Sequence, residues 1–429
     1  MAEEIRRAVV LAVLMGSLLP TPVRAETALA EGFETTEWNE GMVDVRASDL
    51  DHTRLVRGFI GSGLEVTIPE GWRRGIGPFA PLPEPAPDEA WFRYMLRLDD
   101  WEATYSGKLP GPAGLYSYTA RGCFPSQPGS PGWSARMMYA ATGTAGAGPG
   151  EVRLGYYVYH LDQAGTCGDT LLWGPGVIGQ GRWYCVEGQV RVNTPGHPDG
   201  LLAGWVDGEP ELLQDGLAFR RADEVEVAVK EMWLNVYFGG SFATPNDLRL
   251  TIDQLVVSIE GRVGCPDPFL DDDDSQHEAD INELHARDLL FGCDDRQVCP
   301  EAALTRAELA ALLVRALQLP PVGGDTFSDD DGHWAEDVLN RLAEAGILRG
   351  CALGRACPDE PVSRAQFAAM ATRALELPAS EENQFSDDDG HWAESAINAI
   401  AAAGITKGCG DGSFCPDSSV TREQAATLV

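Results

Sequence analysis

Three segments of the chain alternate polar and apolar side chains with a period of two, as a β-strand does when one face packs and the other is exposed. Their polar faces concentrate hydroxyl, guanidinium, amide and carboxylate groups. These faces carry Ser134 and Arg136; Arg153, Tyr157 and Tyr159; and Glu187, Gln189 and Arg191. Such side chains are typical of a carbohydrate-binding groove. A sheet face that is only solvated shows the same pattern, so alternation alone leaves both interpretations open.

Residues 30–262 supply the elements that must position these side chains. The region is rich in glycine, proline and aromatic residues, and it has no long helical period. Short alternating segments recur between turn signals. The predicted strands are residues 91–98, 134–141, 152–161, 183–192, 201–207, 232–238 and 250–259. Many short strands in one region indicate an all-β sandwich or jelly roll.

A series of motifs in this region resembles polysaccharide lyase family 14, the alginate and glucuronan lyases. In chain order these are Ser106-Gly107-Lys108-Leu109-Pro110-Gly111, Ser134-Ala135-Arg136, Tyr157-Val158-Tyr159, Gly181-Arg182-Trp183-Tyr184, Asn193-Thr194-Pro195-Gly196, Trp205-Val206-Asp207-Gly208 and Asn235-Val236-Tyr237-Phe238-Gly239-Gly240. The resemblance extends from Trp91 to Val256. It implies a jelly-roll fold of the concanavalin A-like type. The catalytic set that it implies is Lys108, Ser134, Arg136, Tyr157 and Tyr159.

β-Elimination of a 4-linked uronate requires groups of these types. A base removes the C5 proton beside the carboxylate, and an acid protonates the departing O4. The planar fork of Arg136 suits the carboxylate. Lys108 can stabilise the enolate charge, or act as the base if its pKa is lowered. The two tyrosines can transfer protons and Ser134 can orient the substrate, but the sequence leaves base and acid open among Lys108, Tyr157 and Tyr159. The set demands no metal and no cofactor.

The first 25 residues predict a secretory signal peptide. Arg6 and Arg7 precede an apolar run over residues 8–19, and a small residue at Ala25 marks the expected cleavage site. The run is shorter than the roughly 20 residues of a membrane-spanning helix. A buried N-terminal helix is the alternative interpretation. Export permits disulfides, and the chain has ten cysteines.

A 58-residue repeat organises the C-terminal third of the chain. Cysteine pairs with C-x5-C spacing recur at this interval, and they predict the local disulfides Cys293–Cys299, Cys351–Cys357 and Cys409–Cys415. Thr305, Ser363 and Thr421 each precede an apolar stretch as helix N-caps do. Each repeat therefore predicts two helices around a pinned loop. The sequence leaves the pairing of Cys123, Cys167, Cys185 and Cys265 open among three possibilities.

These repeats resemble S-layer homology (SLH) domains. Repeat 2 carries the pattern through Phe327, Asp329, Trp334, Ala335, Gly346, Ile347, Pro358, Ser363 and Arg364, and repeat 3 through Phe385, Asp387, Trp392, Gly404, Ile405, Gly412, Phe414, Pro416, Thr421 and Arg422. Repeat 1 keeps Thr305-Arg306-Ala307-Glu308 but has Gln276 in place of the tryptophan. The predicted bounds are 266–324, 325–382 and 383–429, with the third repeat truncated.

The SLH resemblance implies an all-α unit that attaches non-covalently to cell-envelope polysaccharide. The arginines that would hold an acidic sugar group are Arg306, Arg364 and Arg422. Trp334 and Trp392 would face the sugar, and the alternative is that both rings only pack between helices. Gln366 and Gln424 replace the glutamate of the motif.

Charge limits the possible partners. The chain has 32 Lys plus Arg against 66 Asp plus Glu, a formal charge of −34, of which −21 falls in residues 266–429. Such a chain repels nucleic acid and anionic membranes. The Asp runs 271–274, 329–331 and 387–389 lack the alternating spacing of a calcium loop, and are predicted to be solvated acidic loops without a metal.

The leading hypothesis from the sequence is a secreted polyuronate lyase anchored at the cell surface by its repeats. Its predicted partners are an acidic polysaccharide substrate and envelope polysaccharide. The substrate-binding residues would be Arg153, Glu187, Gln189 and Arg191. The alternative is a non-catalytic surface protein that uses the sandwich for adhesion or glycan capture.

Overall fold

The computed structural model describes residues 27–114, 122–124, 132–294, 296–380 and 382–428. The predicted signal peptide, residues 1–25, lies outside them. The described residues form two compact units. The first runs to Cys265, and the second runs from Pro266 and takes in the short segments Phe59–Gly61 and Gly181–Trp183. Within the described residues, every helix is too short or too polar to cross a membrane.

The first unit is built from β-strands, with one short helix, α1 (Ala47–Asp51). The strands are β1 (Thr27–Glu31), β2 (Thr53–Arg57), β3 (Ser62–Ile68), β4 (Arg74–Ile76), β5 (Phe79–Pro81), β6 (Glu89–Leu98), β7 (Gly107–Lys108), β8 (Gly111–Gly114), β9 (Trp133–Tyr139), β10 (Glu151–Tyr159), β11 (Asp169–Gly179), β12 (Trp183–Arg191), β13 (Gly200–Val206), β14 (Glu209–Leu217), β15 (Glu231–Trp233), β16 (Val236–Phe238) and β17 (Leu248–Ser258). Each predicted strand overlaps an observed one, and predicted residues 232–238 are divided between β15 and β16.

The strands form two sheets. The first sheet has the order β14-β13-β12-β6-β17-β3-β2, with β1 also beside β17. The second has the order β4-β16-β7-β9-β8-β15-β5, and β10 pairs with both β9 and β11. Both β7 and β8 pair with β9, one near each end of it. The middle of the second sheet is therefore β7 and β8, then β9, then β10.

One hydrophobic core lies between the two sheets. Alternate side chains of β9 and β10 enter it, namely Ala135, Met137, Tyr139, Leu154, Tyr156 and Val158. Strand β12 contributes Val186 and Val190 from the other sheet. Because successive side chains of a strand point to opposite faces, the residues between these face away from the core. The second sheet thus has an outer face that carries Ser134, Arg136 and Tyr157.

The second unit is helical. Its helices are α2 (Glu278–Ala286), α3 (Arg306–Ala316), α4 (Glu336–Glu344), α5 (Arg364–Ala374), α6 (Glu394–Ala402) and α7 (Arg422–Leu428). Thr305 caps α3: its hydroxyl accepts from the Glu308 N–H, and the Glu308 carboxylate accepts from the Thr305 N–H. Ser363 and Gln366 form the same capping box at α5, so glutamine replaces glutamate without loss of the cap.

A ring of backbone hydrogen bonds relates the three repeats. The Leu304 N–H donates to Val420, the Val420 N–H donates to Val362, and the Val362 N–H donates to Leu304, at 2.8–2.9 Å. All three side chains are fully buried. The residues are 58 positions apart, so the sequence repeat becomes a cyclic arrangement of three similar parts.

The predicted order of a β-sheet unit followed by a helical unit is confirmed. The jelly-roll and concanavalin A-like assignments stay predictions.

Disulfides join Cys293 to Cys299, Cys351 to Cys357 and Cys409 to Cys415 within the repeats. In the first unit the structure chooses the pairs Cys123–Cys167 and Cys185–Cys265.

Candidate functional site

The outer face of the second sheet brings the five predicted catalytic residues onto three neighbouring strands. Strands β9 and β10 pair so that Tyr157 lies opposite Arg136 and Tyr159 lies opposite Ser134. Lys108 on β7 lies opposite Met138 on the other edge of β9. Because directly opposed residues share a face, all five side chains belong to the outer face. The Lys108 Nζ atom is 3.9 Å from the centre of the Tyr157 ring.

Arg136 is held in place by groups that the sequence did not single out as site residues. Its side chain is buried, and Nη1 donates a hydrogen bond of 3.0 Å to Asn235 Oδ1. The guanidinium lies 4.4 Å from the centre of the Trp233 ring and 5.8 Å from that of Tyr157. Asn235 begins the Asn235–Gly240 motif, whereas Trp233 lies outside the motifs that resemble the lyase family. These contacts fix a cation over the same face as Lys108.

The surroundings of Lys108 and Tyr157, the two candidate proton-transfer groups, shift their pKa values in opposite directions. Burial and the neighbouring Arg136 cation lower the pKa of Lys108 to about 7. Burial, with the neighbouring Tyr159, raises the pKa of Tyr157 to about 12, and Arg136 opposes that rise. Near neutral pH, Lys108 can therefore be an unprotonated amine while Tyr157 keeps its proton. Base and acid, which the sequence left open, differ here in their surroundings.

A disulfide-linked segment packs against the two tyrosines. The Tyr159 hydroxyl accepts from the Cys123 N–H at 2.7 Å, and Cys123 is bonded to Cys167. The rings of Tyr157 and Tyr159 meet edge to face at 5.6 Å. A Cβ atom at Gly168 would lie 2.7 Å from the Val158 carbonyl oxygen and 3.0–3.1 Å from the two rings. Only glycine fits there, so Gly168 is a positioning residue that the sequence analysis missed.

Glu231 adds a carboxyl group to this face. It lies opposite Ala113, which in turn lies opposite Ser134, so Glu231 and Ser134 share the outer face. Burial raises the pKa of Glu231 to about 7. Its Oε1 atom is buried and accepts no hydrogen bond from the described residues. No sequence pattern marked this residue.

The predicted substrate-binding residues are not all brought to this face. Glu187, Gln189 and Arg191 lie on β12 in the first sheet, and they alternate with the core residues Val186 and Val190. Their side chains therefore occupy the outer face of the opposite sheet. Their prediction as part of one groove with the Lys108 set is corrected accordingly.

The contacts of these residues give the physical reason. Glu187 is buried and accepts from Arg262 Nε at 3.0 Å, and Gln189 donates to Glu89 at 2.7 Å. Arg153 is on β10 in the second sheet, but its Nη1 donates to the carbonyl oxygens of Trp173 and Gly174. These polar groups therefore bond within the unit.

In the second unit, the three motif arginines bind the backbone of another repeat. Arg306 Nε donates to the Ala356 carbonyl oxygen at 2.6 Å and Nη2 to that of Arg349 at 2.8 Å. Arg364 Nε donates to Phe414, and Arg422 Nε to Val298. All three arginines are buried. Their bonds join repeats, and their contact with sugar stays a prediction.

The two tryptophans are exposed, 63% for Trp334 and 65% for Trp392, so the interpretation that they pack between helices is wrong. Trp392 lines a groove of about 620 Å³ together with Arg306, Arg349 and Arg373. An equivalent groove of about 410 Å³ is lined by Trp334 with Arg315 and Arg422. Trp334 and Trp392 are 58 positions apart, as are Arg315 and Arg373, whereas Arg306 and Arg422 are two repeat lengths apart. Arg315 and Arg373 are groove residues that sequence reasoning missed.

Comparison with known families agrees with both motif series. Residues 83–254 match the family model of polysaccharide lyase 14, and residues 326–368 and 384–426 match that of the S-layer homology domain. The two resemblances are thereby confirmed, with the SLH match falling on the second and third repeats. The β-sheet unit is thus similar to polysaccharide lyase 14 over residues 83–254, and the helical unit is similar to the S-layer homology domain over two of its repeats.

Individual relatives resemble parts of the chain. An uncharacterised cell wall amidase of Bacillus anthracis is 32% identical over 146 residues, which are 33% of this chain and 27% of that protein. An S-layer protein of Bacillus licheniformis is 33% identical over 123 residues, 28% of this chain and 14% of that protein. This chain therefore spans about a quarter or less of these relatives. A marine alginate lyase from Aplysia kurodai has a TM-score of 0.45 at 18% identity, covering 54% of this chain and 99% of that one.

Proposed function

We propose that the first unit is a polysaccharide lyase that cleaves a uronic-acid polymer by β-elimination. The observation that carries this proposal is the half-buried Lys108 amine, 3.9 Å from the Tyr157 ring, on the face that also holds Arg136. The match to polysaccharide lyase 14 over residues 83–254 supports it. The substrate class is a 4-linked polyuronate of the alginate or glucuronan type.

The reaction divides among the residues of this face. Arg136 binds the uronate carboxylate and so makes the C5 proton more acidic. The neutral Lys108 amine removes that proton, which suits a base with a pKa near the working pH. Electrons from the C5–H bond form the C4–C5 double bond as the C4–O4 bond breaks. Tyr157, still protonated, delivers its proton to the departing O4.

Ser134 and Tyr159 support these steps. Ser134 is buried directly opposite Tyr159 across two strands, and it orients the sugar ring. The Tyr159 hydroxyl is anchored to the Cys123 amide, so its ring holds Tyr157 against Lys108. In this scheme Tyr159 is a positioning residue, and Tyr157 touches the reacting oxygen.

We propose further that the chain is exported and held at the cell surface by its repeats. The two grooves that combine an exposed tryptophan with arginines are suited to an acidic glycan, because they offer a flat ring and cations in an otherwise acidic unit. The SLH match and the B. licheniformis S-layer protein support this attachment. The ligand is an envelope polysaccharide with an acidic substituent.

The test of the lyase is the ultraviolet absorbance of the new C4–C5 double bond on a panel of alginate and glucuronan. The parent should generate this signal, and Lys108→Ala should lose it. Lys230→Ala is the matched control, because Lys230 forms an ion pair with Glu84 and is not in the catalytic scheme. A parent that binds these polymers without producing the double bond would support the glycan-capture alternative and overturn the lyase.

A further inference from the structure

Each repeat contains an aspartate that is buried without a partner. Asp272, Asp330 and Asp388 are 58 positions apart, and each has no exposed surface. Both carboxylate oxygens of each lack a hydrogen-bond donor among the described residues. The prediction that these Asp runs are solvated loops is therefore wrong for this residue of each run. A buried carboxylate without a donor is costly, because burial removes its hydration and nothing replaces it.

More oxygen atoms lie beside each of these aspartates. One carboxylate oxygen from each of Asp325, Asp330 and Asp331 lies within 4.8 Å of the other two. Asp267 and Asp273 stand in the same relation to Asp272. In repeat 3, Asn383 takes the place of the first aspartate, and its Nδ2 donates to Asp389 at 2.6 Å. The same triad of positions thus recurs three times.

The grouping of like charges is unfavourable unless a cation is present. Among the described residues, no cationic side chain forms an ion pair with these three aspartates. Each cluster therefore needs a cation that its oxygen atoms can coordinate.

We propose that each SLH repeat binds one calcium ion between its buried aspartate and the two flanking positions. The three sites are Asp267, Asp272 and Asp273; Asp325, Asp330 and Asp331; and Asn383, Asp388 and Asp389. Calcium binds oxygen ligands at about 2.4 Å, so two oxygens on one ion lie within about 4.8 Å of each other. The oxygens of the two all-aspartate clusters lie within this distance of one another. A set with only oxygen ligands favours calcium over zinc, which prefers nitrogen and sulfur.

In repeats 2 and 3, the proposed calcium site adjoins the turn that precedes the exposed tryptophan. The Asp330 carbonyl accepts from the His333 N–H at 2.8 Å, and the Asp388 carbonyl accepts from the His391 N–H at 2.9 Å. These turns lead directly to Trp334 and Trp392, the exposed rings of the two grooves. A bound ion would fix the turn and therefore the ring that follows it. Calcium would then contribute to envelope attachment without touching the glycan.

The first experiment measures calcium binding to the whole chain after treatment with a chelator. Titration calorimetry should find three sites, and the thermal midpoint should rise with calcium concentration because the ion binds the folded state. Asp272→Asn, Asp330→Asn and Asp388→Asn should each remove one site. Asp411→Asn is the matched control, since it makes the same charge change at an exposed residue outside the three proposed sites.

Terbium provides a second readout that distinguishes the repeats. Trp334 follows Asp331 by three residues, so a terbium ion bound there lies within roughly 10 Å along the chain. Emission excited through tryptophan should fall in Asp330→Asn and Asp388→Asn. It should fall little in Asp272→Asn, because repeat 1 has Gln276 at the tryptophan position.

Two results would overturn the proposal. One is a parent chain that binds no calcium and whose thermal midpoint is the same with calcium and with chelator. The other is full calcium stoichiometry in the triple Asp→Asn variant. Because asparagine has nearly the shape of aspartate, circular dichroism of each variant shows whether a lost site reflects lost ligands or lost fold. Neither readout depends on lyase activity.

Discussion

The lowered pKa of Lys108 predicts a specific pH dependence for the proposed elimination. A lysine with the ordinary pKa of 10.5 has about 3 in 10,000 of its amines unprotonated at pH 7. With a pKa of about 7, half of them are unprotonated. Burial and Arg136 together therefore increase the available base by roughly 1,500-fold. The value of kcat/KM should rise tenfold per pH unit below pH 7 and become constant above it.

Lys108→Arg is the sharpest perturbation of this step. Arginine keeps the positive charge and a similar length, but it does not release its proton in this pH range. Loss of a general base costs roughly 10²- to 10⁴-fold in rate. The kcat/KM of the variant should therefore be lower than that of the parent by this factor, and raising the pH to about 9 should not restore it.

The assay is the initial rate of double-bond formation between about pH 5 and pH 9, at constant ionic strength. The chain has only three lysines, Lys108, Lys230 and Lys407, so carbon-13 methylation gives few side-chain NMR signals to titrate. One signal should titrate near pH 7 and be absent in Lys108→Arg. A rate profile that is flat through pH 7, or a variant with the parent's profile, would refute Lys108 as the base.

Further predictions concern the residues around this site and the grooves. Gly168→Ala should lower both kcat and the thermal midpoint, measured by steady-state kinetics and thermal unfolding, because its Cβ would meet the Val158 carbonyl oxygen and both tyrosine rings. Lys108→Met should be more stable than the parent at pH 6, and this advantage should shrink above pH 7. The Lys108 ammonium loses its proton near pH 7 in the folded chain and near pH 10.5 in the unfolded chain. The free energy of unfolding of the parent therefore rises between these two pH values. Trp392→Ala and Arg373→Gln should each weaken sedimentation with envelope fractions, whereas Leu353→Ala, fully exposed outside the groove, should not. Mass spectrometry of a non-reduced digest should recover the Cys123–Cys167 link, and free thiols there would contradict the structure.

The alternation of side chains predicted which residues face outward, but not which sheet carries them. Ser134 and Arg136 alternate with buried residues as Glu187 and Gln189 do, so both strands appear equivalent in the sequence. Their assignment depends on pairing partners far along the chain: β9 pairs with β10, whereas β12 pairs with β13. Period-two patterning contains no information about that choice.

Some strands left no recognisable pattern. Strand β14 is exposed along most of its length, so it lacks the apolar alternation by which strands are found. Strand β11 contains Gly174, Pro175 and Gly176, which indicate a turn rather than a strand. Glu231 was missed for a related reason: its burial follows from the pairing of β15 with β8, and a lone glutamate in a short segment gives no sign of it.

The repeat was the most predictable part of the molecule, because its signals are local and occur three times. A capping box needs only Thr305 and Glu308, and a C-x5-C loop closes on itself. The cyclic closure needs contacts between repeats, as in the ring of Leu304, Val362 and Val420. The same distinction explains why the sequence predicts solvated loops at the Asp runs: the burial of Asp330 is a property of the folded repeat.

The three motif arginines can support glycan binding by holding the repeats together, without contacting the glycan. Arg306 donates to carbonyl oxygens of the Cys351–Cys357 loop region, at Arg349 and Ala356, and Arg364 and Arg422 donate similarly at their own positions. Removing such an arginine leaves buried carbonyls without donors, which destabilises the join between repeats. Loss of envelope binding on that substitution would therefore not distinguish a sugar contact from a loosened groove. The exposed ring of Trp392 has no such structural task among the described contacts, so its substitution separates recognition of the glycan from the integrity of the fold.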